Sequence, residues 1–485
     1  MSQPAFDLRA VAHQEMLAEG FQPDFSPAVD QQVKALESRK APAIENGVRD
    51  LRTLLWSSID NDTSRDLDQI EVAERMSGGI RLLIAIADVD SAVPIDSPID
   101  RHAASETTSV YTGVTTFPML PMELSTDLTS LNEAVDRLAV VVEMIVAADG
   151  SISSTSAYRA LVTNKFQLTY NGVGPWLEGT SAPPPKVAAS ADLMAQLKLQ
   201  DEAAQILQQE RRKMGALNID RVELEAMVSG GAVQRIDTRK KNRATELIEN
   251  FMVAANGVMA RALTEAGVSS IRRVVETPKR WPRIVELAAN YGLTLPPEPD
   301  SGALNHFLEK CKASDPDHYA DISLAVVKLM GPGEYVLARK GEADPGHFAL
   351  AAHDYTHSTA PNRRFADTVT QRLIKSVLGK QPCPYPDPQL DAIAKNCTLK
   401  EDAARKVERA MSKRIAAVAL QHRIGDIFNA VVTGAGPKGV FVRALGPPVE
   451  GMLVRGQQGA DVGDRLRVQL VSTDPRRGYI DFAKV

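Results

Sequence analysis

The run Ile59-Asp60-Asn61-Asp62-Thr63-Ser64-Arg65-Asp66-Leu67-Asp68-Gln69 places four carboxylates between apolar stretches. Carboxylates crowded in a folded interior repel and raise one another's pKa, so they call for compensating positive charge, which a hard divalent cation supplies. As ligands they suit metal-assisted attack on a phosphate ester. Taken alone, the same run also reads as a solvated acidic turn.

A chain of 485 residues exceeds one compact core, so a large domain of about 300 residues with smaller appendages is expected. Three cysteines (Cys311, Cys383 and Cys397) without a CxxC pair exclude a dense disulfide framework and fit a reducing compartment. The N-terminus has no basic region followed by an apolar core, and no apolar run reaches the roughly 18 residues of a membrane span. A cytoplasmic protein is expected. The net charge of −5 gives no global sign of a phosphate binder, so any nucleic-acid site must be basic only locally.

Along the chain, an apolar-periodic stretch from Leu8 to Leu17 and a second that opens with Ser26 as N-cap and Pro27 predict two short helices. They form either a helix-turn-helix that grips nucleic acid or a packing arm. Ile80 to Val89 and Leu138 to Ala147 read as core strands. A charged helix is expected near Ala191 to Met214, and Thr245 to Arg261 repeats apolar residues at helical spacing. Thr398-Leu399-Lys400-Glu401 reads as a capping box that opens a helix running to about His422. Beyond Gly425 come five short alternating strands broken by glycines, which suits an OB-fold barrel.

Four blocks bear on the acidic run. Asp60 followed by Asp66-Leu67-Asp68-Gln69 is the first, and Ser109-Val110-Tyr111 with Phe117-Pro118-Met119-Leu120-Pro121 is the second. The third is Leu247-Ile248-Glu249-Asn250-Phe251-Met252-Val253-Ala254-Ala255-Asn256, and the fourth is Tyr355 to Asp367, which contains Arg363-Arg364. In this order they resemble the catalytic (RNB) domain of the ribonuclease II family. Gly436 to Val442, Val449 to Leu453, Val462-Gly463-Asp464 and Gly478-Tyr479-Ile480 resemble its S1 RNA-binding domain.

An α+β fold in four parts is expected: a helical N-terminal region (1–47) and, as the resemblance implies, a catalytic domain with a central channel (48–380), a helical connector (381–423) and an S1-type barrel (424–485). The N-terminal region is too short for the paired cold-shock domains usual in bacterial relatives. The implied activity is a magnesium-dependent 3′→5′ exoribonuclease that releases nucleoside 5′-monophosphates from single-stranded RNA; a monomer is expected, since a channel enzyme with its own binding barrel has no evident need of an obligate protein partner. Asp60, Asp66 and Asp68, with Gln69 beside them, would hold Mg²⁺, and Asp68 is the residue whose loss should do most damage. Arg363 would contact the scissile phosphate. Tyr111 would stack on the 3′-terminal nucleotide, and Glu249 would order Arg363 or the terminal ribose. Arg364 joins the RNA contacts or forms a structural salt bridge. Glu408 lies near the RNA path, and His357 is read as structural. In the barrel Phe428 and Phe441 are candidates to stack on bases, although at period two one of them belongs to the barrel core, with Arg443, Arg465 and Arg467 drawing phosphate.

The sequence also departs from the family pattern. Gln69 stands where the family carries a second aspartate, Asn362 replaces an isoleucine and Gln371 a histidine, and Arg221 to Glu225 lacks the second clamping aromatic. An amide can coordinate a cation but brings no charge. Two readings follow: an active exoribonuclease, or a catalytically silent RNA-binding or regulatory member.

Overall fold

The computed structural model describes residues 6–39, 47–219, 223–229, 232–239, 241–316, 319–342, 346–437 and 439–485. Helix α1 (Leu8–Ala18) begins where the Asp7 carboxylate accepts the backbone N–H groups of Arg9 and Ala10. Helix α2 (Pro27–Glu37) begins at Ser26 with proline in its first turn, as the sequence predicts.

The central layer is a seven-stranded sheet. In chain order it takes β1 (Val48–Asp50), β2 (Ser57–Asp60), β3 (Gln69–Met76) and β4 (Gly79–Ala87). A separate hairpin of β5 (Val110–Tyr111) and β6 (Thr116–Phe117) intervenes before β7 (Asp136–Val146), β8 (Ile152–Thr163) and β9 (Phe166–Thr169) complete the sheet in the order β1-β8-β7-β4-β3-β2-β9. Both predicted core strands are present, as β4 and β7, which pair antiparallel from Ile80↔Val146 to Ala87↔Ala139. Gly79 makes the tight entry to β4 at φ +141°, and a Cβ there would sit 2.2 Å from the carbonyl oxygen of Val146.

Helices α3 (Pro98–Glu106), α4 (Tyr170–Leu177), α5 (Pro185–Ala188), α6 (Ala191–Lys213) and α7 (Arg243–Glu265) follow around the sheet. Leu247 and Phe251 of α7 and Leu193, Leu197 and Leu207 of α6 join Ile84, Val140 and Val142 in the main core. Two short strand pairs, β10 (Glu223–Ser229) with β11 (Ala232–Arg239) and β12 (Ser270–Val274) with β13 (Glu334–Ala338), lie outside the sheet. Helices α8 (Trp281–Asn290), α9 (Ser301–Ser314) and α10 (Tyr319–Met330) bury a small core of their own around Trp281, Phe307 and Tyr319.

Helix α11 (Phe365–Leu378) leads to α12 (Asp387–Leu420). The expected capping box at Thr398 is not a helix start. Pro386 and the proline in the first turn open α12 twelve residues earlier, and Thr398 lies mid-helix, where its hydroxyl accepts the Tyr335 N–H at 2.8 Å. Five strands, β14 (Ile427–Gly436), β15 (Gly439–Ala444), β16 (Glu450–Arg455), β17 (Arg465–Asp474) and β18 (Tyr479–Lys484), close the expected barrel. Ala416, Ala417 and Leu420 of α12 are part of its core, so the barrel is seated on the end of that helix. No described helix is long and apolar enough to cross a membrane.

Candidate active site

Asp60 ends β2, and the loop after it folds back so that Asp66 and Asp68 precede β3. Between the two aspartates Leu67 turns into the core at 1% exposure, so its flanking carboxylates share the other side. Ser130 pins this loop: its hydroxyl donates to the Arg65 carbonyl at 2.7 Å and accepts the Leu67 N–H at 2.9 Å.

Asp68 is buried. Its Oδ1 accepts the Asn362 N–H at 3.0 Å and its Oδ2 lies 3.4 Å from Nε of Arg363. Burial pushes its carboxyl up to about 7, although Arg363 and the Asn362 N–H pull the other way. Asp60 is raised by burial as well, against hydrogen bonds from the Asn61 N–H at 2.7 Å and the Ser64 hydroxyl at 2.8 Å. Asp66 accepts the Tyr111 hydroxyl at 3.3 Å. Arg363 keeps a half-exposed guanidinium above these carboxylates.

Two separate parts of the chain are stitched together here. Ser109 N–H donates to the Arg363 carbonyl at 3.0 Å and Phe365 N–H to the Thr107 carbonyl at 2.8 Å, so the tyrosine segment and the arginine block form one backbone unit. The Glu408 carboxylate on α12 accepts the Tyr111 N–H at 3.2 Å, a tie that a charge within a helix did not announce. Asn362 has a use of its own: its Oδ1 accepts the Thr129 hydroxyl at 2.6 Å while its N–H reaches Asp68. Gln371 braces the fold, donating to the Ala87 carbonyl at 2.8 Å and accepting the Asp90 N–H at 3.2 Å.

Other expected residues sit differently. Arg364 forms a bidentate pair with buried Asp367 at 2.9 and 2.8 Å, which is the structural salt bridge of the two readings. His357 is buried and neutral, its Nδ1 2.8 Å from the Tyr335 hydroxyl. Glu249 pairs with Lys241 at 2.7 Å and lines a cavity of about 440 Å³ with Arg211, Arg212 and Ile219, and no contact joins it to Arg363. Gln69 opens β3, buried, with its backbone paired to Ile86 and no hydrogen bond to its amide side chain among the described residues. Arg221 and Val222, in the segment lacking a second aromatic, lie outside the described residues.

No three carboxylate, histidine or cysteine side chains among the described residues converge into a ready-made metal cage. The donor set nevertheless suits magnesium, which takes one or two carboxylates and completes its shell with water and substrate oxygens. Burial raises Asp60 and Asp68 with Arg363 as the cation nearby, so an added divalent charge would favour their ionised forms.

In the barrel, Phe428 points inward at 5% exposure, edge-on to Phe482 with centroids 6.1 Å apart. It is core, not a base-stacking platform. Phe441 is only part-buried, opposite Met452 on the next strand. Arg443 is paired with Asp321 of α10, whereas Arg465 and Arg467 line a cavity of about 570 Å³ between the barrel and that aspartate. Phe428→Ala should therefore destabilise the barrel by about 3–5 kcal/mol, read from its thermal unfolding. Phe441→Ala should leave unfolding unchanged and weaken RNA binding by about 1–3 kcal/mol.

Comparison with known proteins agrees with this architecture. The RNB domain model matches residues 48–380, and the RNase II-type exonuclease C-terminal S1 domain model matches 426–485. Ribonuclease R of Thermotoga maritima is 30% identical over 524 aligned residues, covering the whole chain and 71% of that protein. Ribonuclease R of Escherichia coli is 29% identical over 503, covering 94% of the chain and 60% of that protein. Mycoplasma genitalium RNase R, solved with ribose-methylated single-stranded RNA, superposes with a TM-score of 0.88 at 24% identity over 99% of the chain and 78% of its own. With the RNB model covering most of its length and the S1 model its final strands, the chain belongs to the ribonuclease II (RNB) family.

Proposed function

We propose that this protein is a magnesium-dependent 3′→5′ exoribonuclease that hydrolyses single-stranded RNA to nucleoside 5′-monophosphates. The observation that carries the reading is buried Asp68, held between the Asn362 N–H and Arg363 and joined by Asp60, Asp66 and Tyr111. Asp60, Asp66 and Asp68 would hold magnesium, which supplies the charge that activates water and offsets charge on the phosphate.

The protein's own groups do the rest. Arg363 presents a planar fork to the nonbridging oxygens and neutralises the charge that grows on them. Tyr111, 43% exposed, offers its ring to the last base of the strand. Water attacks phosphorus, the P–O3′ bond breaks, and the departing 3′ oxygen takes a proton. The released nucleotide therefore keeps its phosphate on the 5′ carbon. The cavity bearing Arg211, Arg212 and Lys241, and the one bearing Arg465 and Arg467, offer basic surface to the backbone although the net charge of the chain is −5.

The test uses one RNA labelled at either end. A 3′ label should appear at once as mononucleotide, and a 5′ label should pass through a descending ladder. A 3′ label found from the first time points in fragments shorter than the substrate but longer than one nucleotide would contradict exonuclease action. Gln69→Asp should restore a negative charge and lower the magnesium concentration for half-maximal rate. An unchanged requirement would mean that Gln69 does not limit metal binding.

A further inference from the structure

Tyr111 is carried by a two-stranded hairpin, Val110↔Phe117 and Tyr111↔Thr116, whose leading residue Ser109 is tied to the arginine block. Such a hairpin has little stability of its own, so its position is set by what it rests on. Val110 is fully buried while Tyr111 beside it is exposed, so one side of β5 is anchored and the other faces Asp66. The anchor is a small core separate from that of the sheet. It joins Leu8, Ala12, Met16 and Phe21 of the N-terminal arm to Val110 and to Val407, Met411 and Ile415 of α12, with Val114 and Phe117 packed against it.

Polar contacts fasten the arm around this core. Lys400 donates to the Gly20 carbonyl at 2.7 Å, Gln22 N–H donates to Glu106 at 2.9 Å, and Arg414 pairs with Glu15 at 2.7 Å. The His13 ring lies 6.2 Å from that of Phe117. Glu408, next to buried Val407 of the same core, holds the Tyr111 N–H.

We infer that the N-terminal arm is a positioning element for the RNA 3′ end: α1 and α12 together form the seat of the β5–β6 hairpin and so fix where Tyr111 stands relative to Asp66. The arm acts through Tyr111 and touches no substrate itself. This inference rests on the proposed exoribonuclease reading for its kinetic part alone; the seat itself is testable without activity.

Met16 is the residue to change, since it is buried in the seat and far in sequence from every proposed catalytic group. Hydrogen exchange of the full chain should show the amides of residues 110–117 in Met16→Ala exchanging roughly tenfold faster or more, with β4 and β7 unchanged. Met16→Leu, which refills the space, should restore protection. In RNA hydrolysis Met16→Ala should raise KM severalfold with little change in kcat, and its effect should vanish when Tyr111→Ala is already present, as coupled residues require. Unchanged protection of the hairpin would overturn the inference. So would a KM increase of equal size with and without Tyr111. If the natural chain degrades no RNA, the functional reading fails, while the exchange experiment still decides the seat.

Discussion

Asp68→Asn should bind single-stranded RNA with unchanged affinity and cut it on the order of 10²–10³ times more slowly, or less than that again. The substitution is nearly isosteric. An amide oxygen can still accept the Asn362 N–H that Asp68 accepts at 3.0 Å, so the backbone of the arginine block has no reason to move. What disappears is the charge. Asp68 is the most enclosed of the three carboxylates, and it alone is in contact with Arg363, at 3.4 Å. Single-turnover rates at saturating RNA separate the chemical step from binding. A variant that cuts at the natural rate would remove Asp68 from the mechanism. One that also loses binding would show that the carboxylate mainly shapes the pocket.

The second large effect concerns stability. Glu71 is fully buried in β3, and neither of its carboxyl oxygens has a hydrogen-bond partner among the described residues. The Ser57 hydroxyl, on the residue paired with it across the sheet, is also unpartnered. Burial pushes the Glu71 carboxyl well above its ordinary value of 4.5, and the nearby Asp60 charge adds to this. The folded protein therefore holds a proton here that the unfolded chain releases above that value. This favours folding fully at low pH, and the advantage is lost as pH rises from 4.5 toward the folded pKa. Glu71→Met keeps the volume and removes both unpaired oxygens, so at neutral pH it should stabilise by about 1–3 kcal/mol. Thermal unfolding between pH 5 and 8, in roughly half-unit steps, should show the natural chain losing stability upward and the variant changing less. A destabilised variant would mean that Glu71 has a partner in solution that its surroundings here do not supply.

Much of this architecture could be read from the residues because local signals and global packing agree. Ser26-Pro27 starts a helix by capping chemistry that needs no tertiary help, and the runs that became β4 and β7 are apolar because both their faces are covered. The five barrel strands were visible because glycine turns separate them. The start of α12 was misread because a Thr-x-x-Glu pattern inside a helix looks the same as one at its end. Pro386 and Pro388 were the stronger signal.

At the site, the grouping of Asp60, Asp66, Asp68, Tyr111 and Arg363 follows the motifs, but the groups that hold them do not show in any pattern. Asn362 and Glu408 act through a backbone N–H given or received, so their identity says little about their partner. Arg364 and Asp367 are three residues apart, and only the burial of the aspartate shows that the arginine serves as its partner. Phe428 and Phe441 are alike in sequence, and it took the barrel's register to send one inward. Glu71 carries no motif at all and becomes visible only as a buried group without partners.

The central claim is that this site cleaves RNA even though Gln69 replaces a charge. The direct measurement is the length of a 5′-labelled single-stranded RNA after incubation with the full chain, in magnesium and again in EDTA. Progressive shortening in magnesium, stopped by EDTA and restored by excess magnesium, is the predicted result. RNA that is bound but stays intact under every condition would contradict it and would make the chain a silent, RNA-binding member of its family.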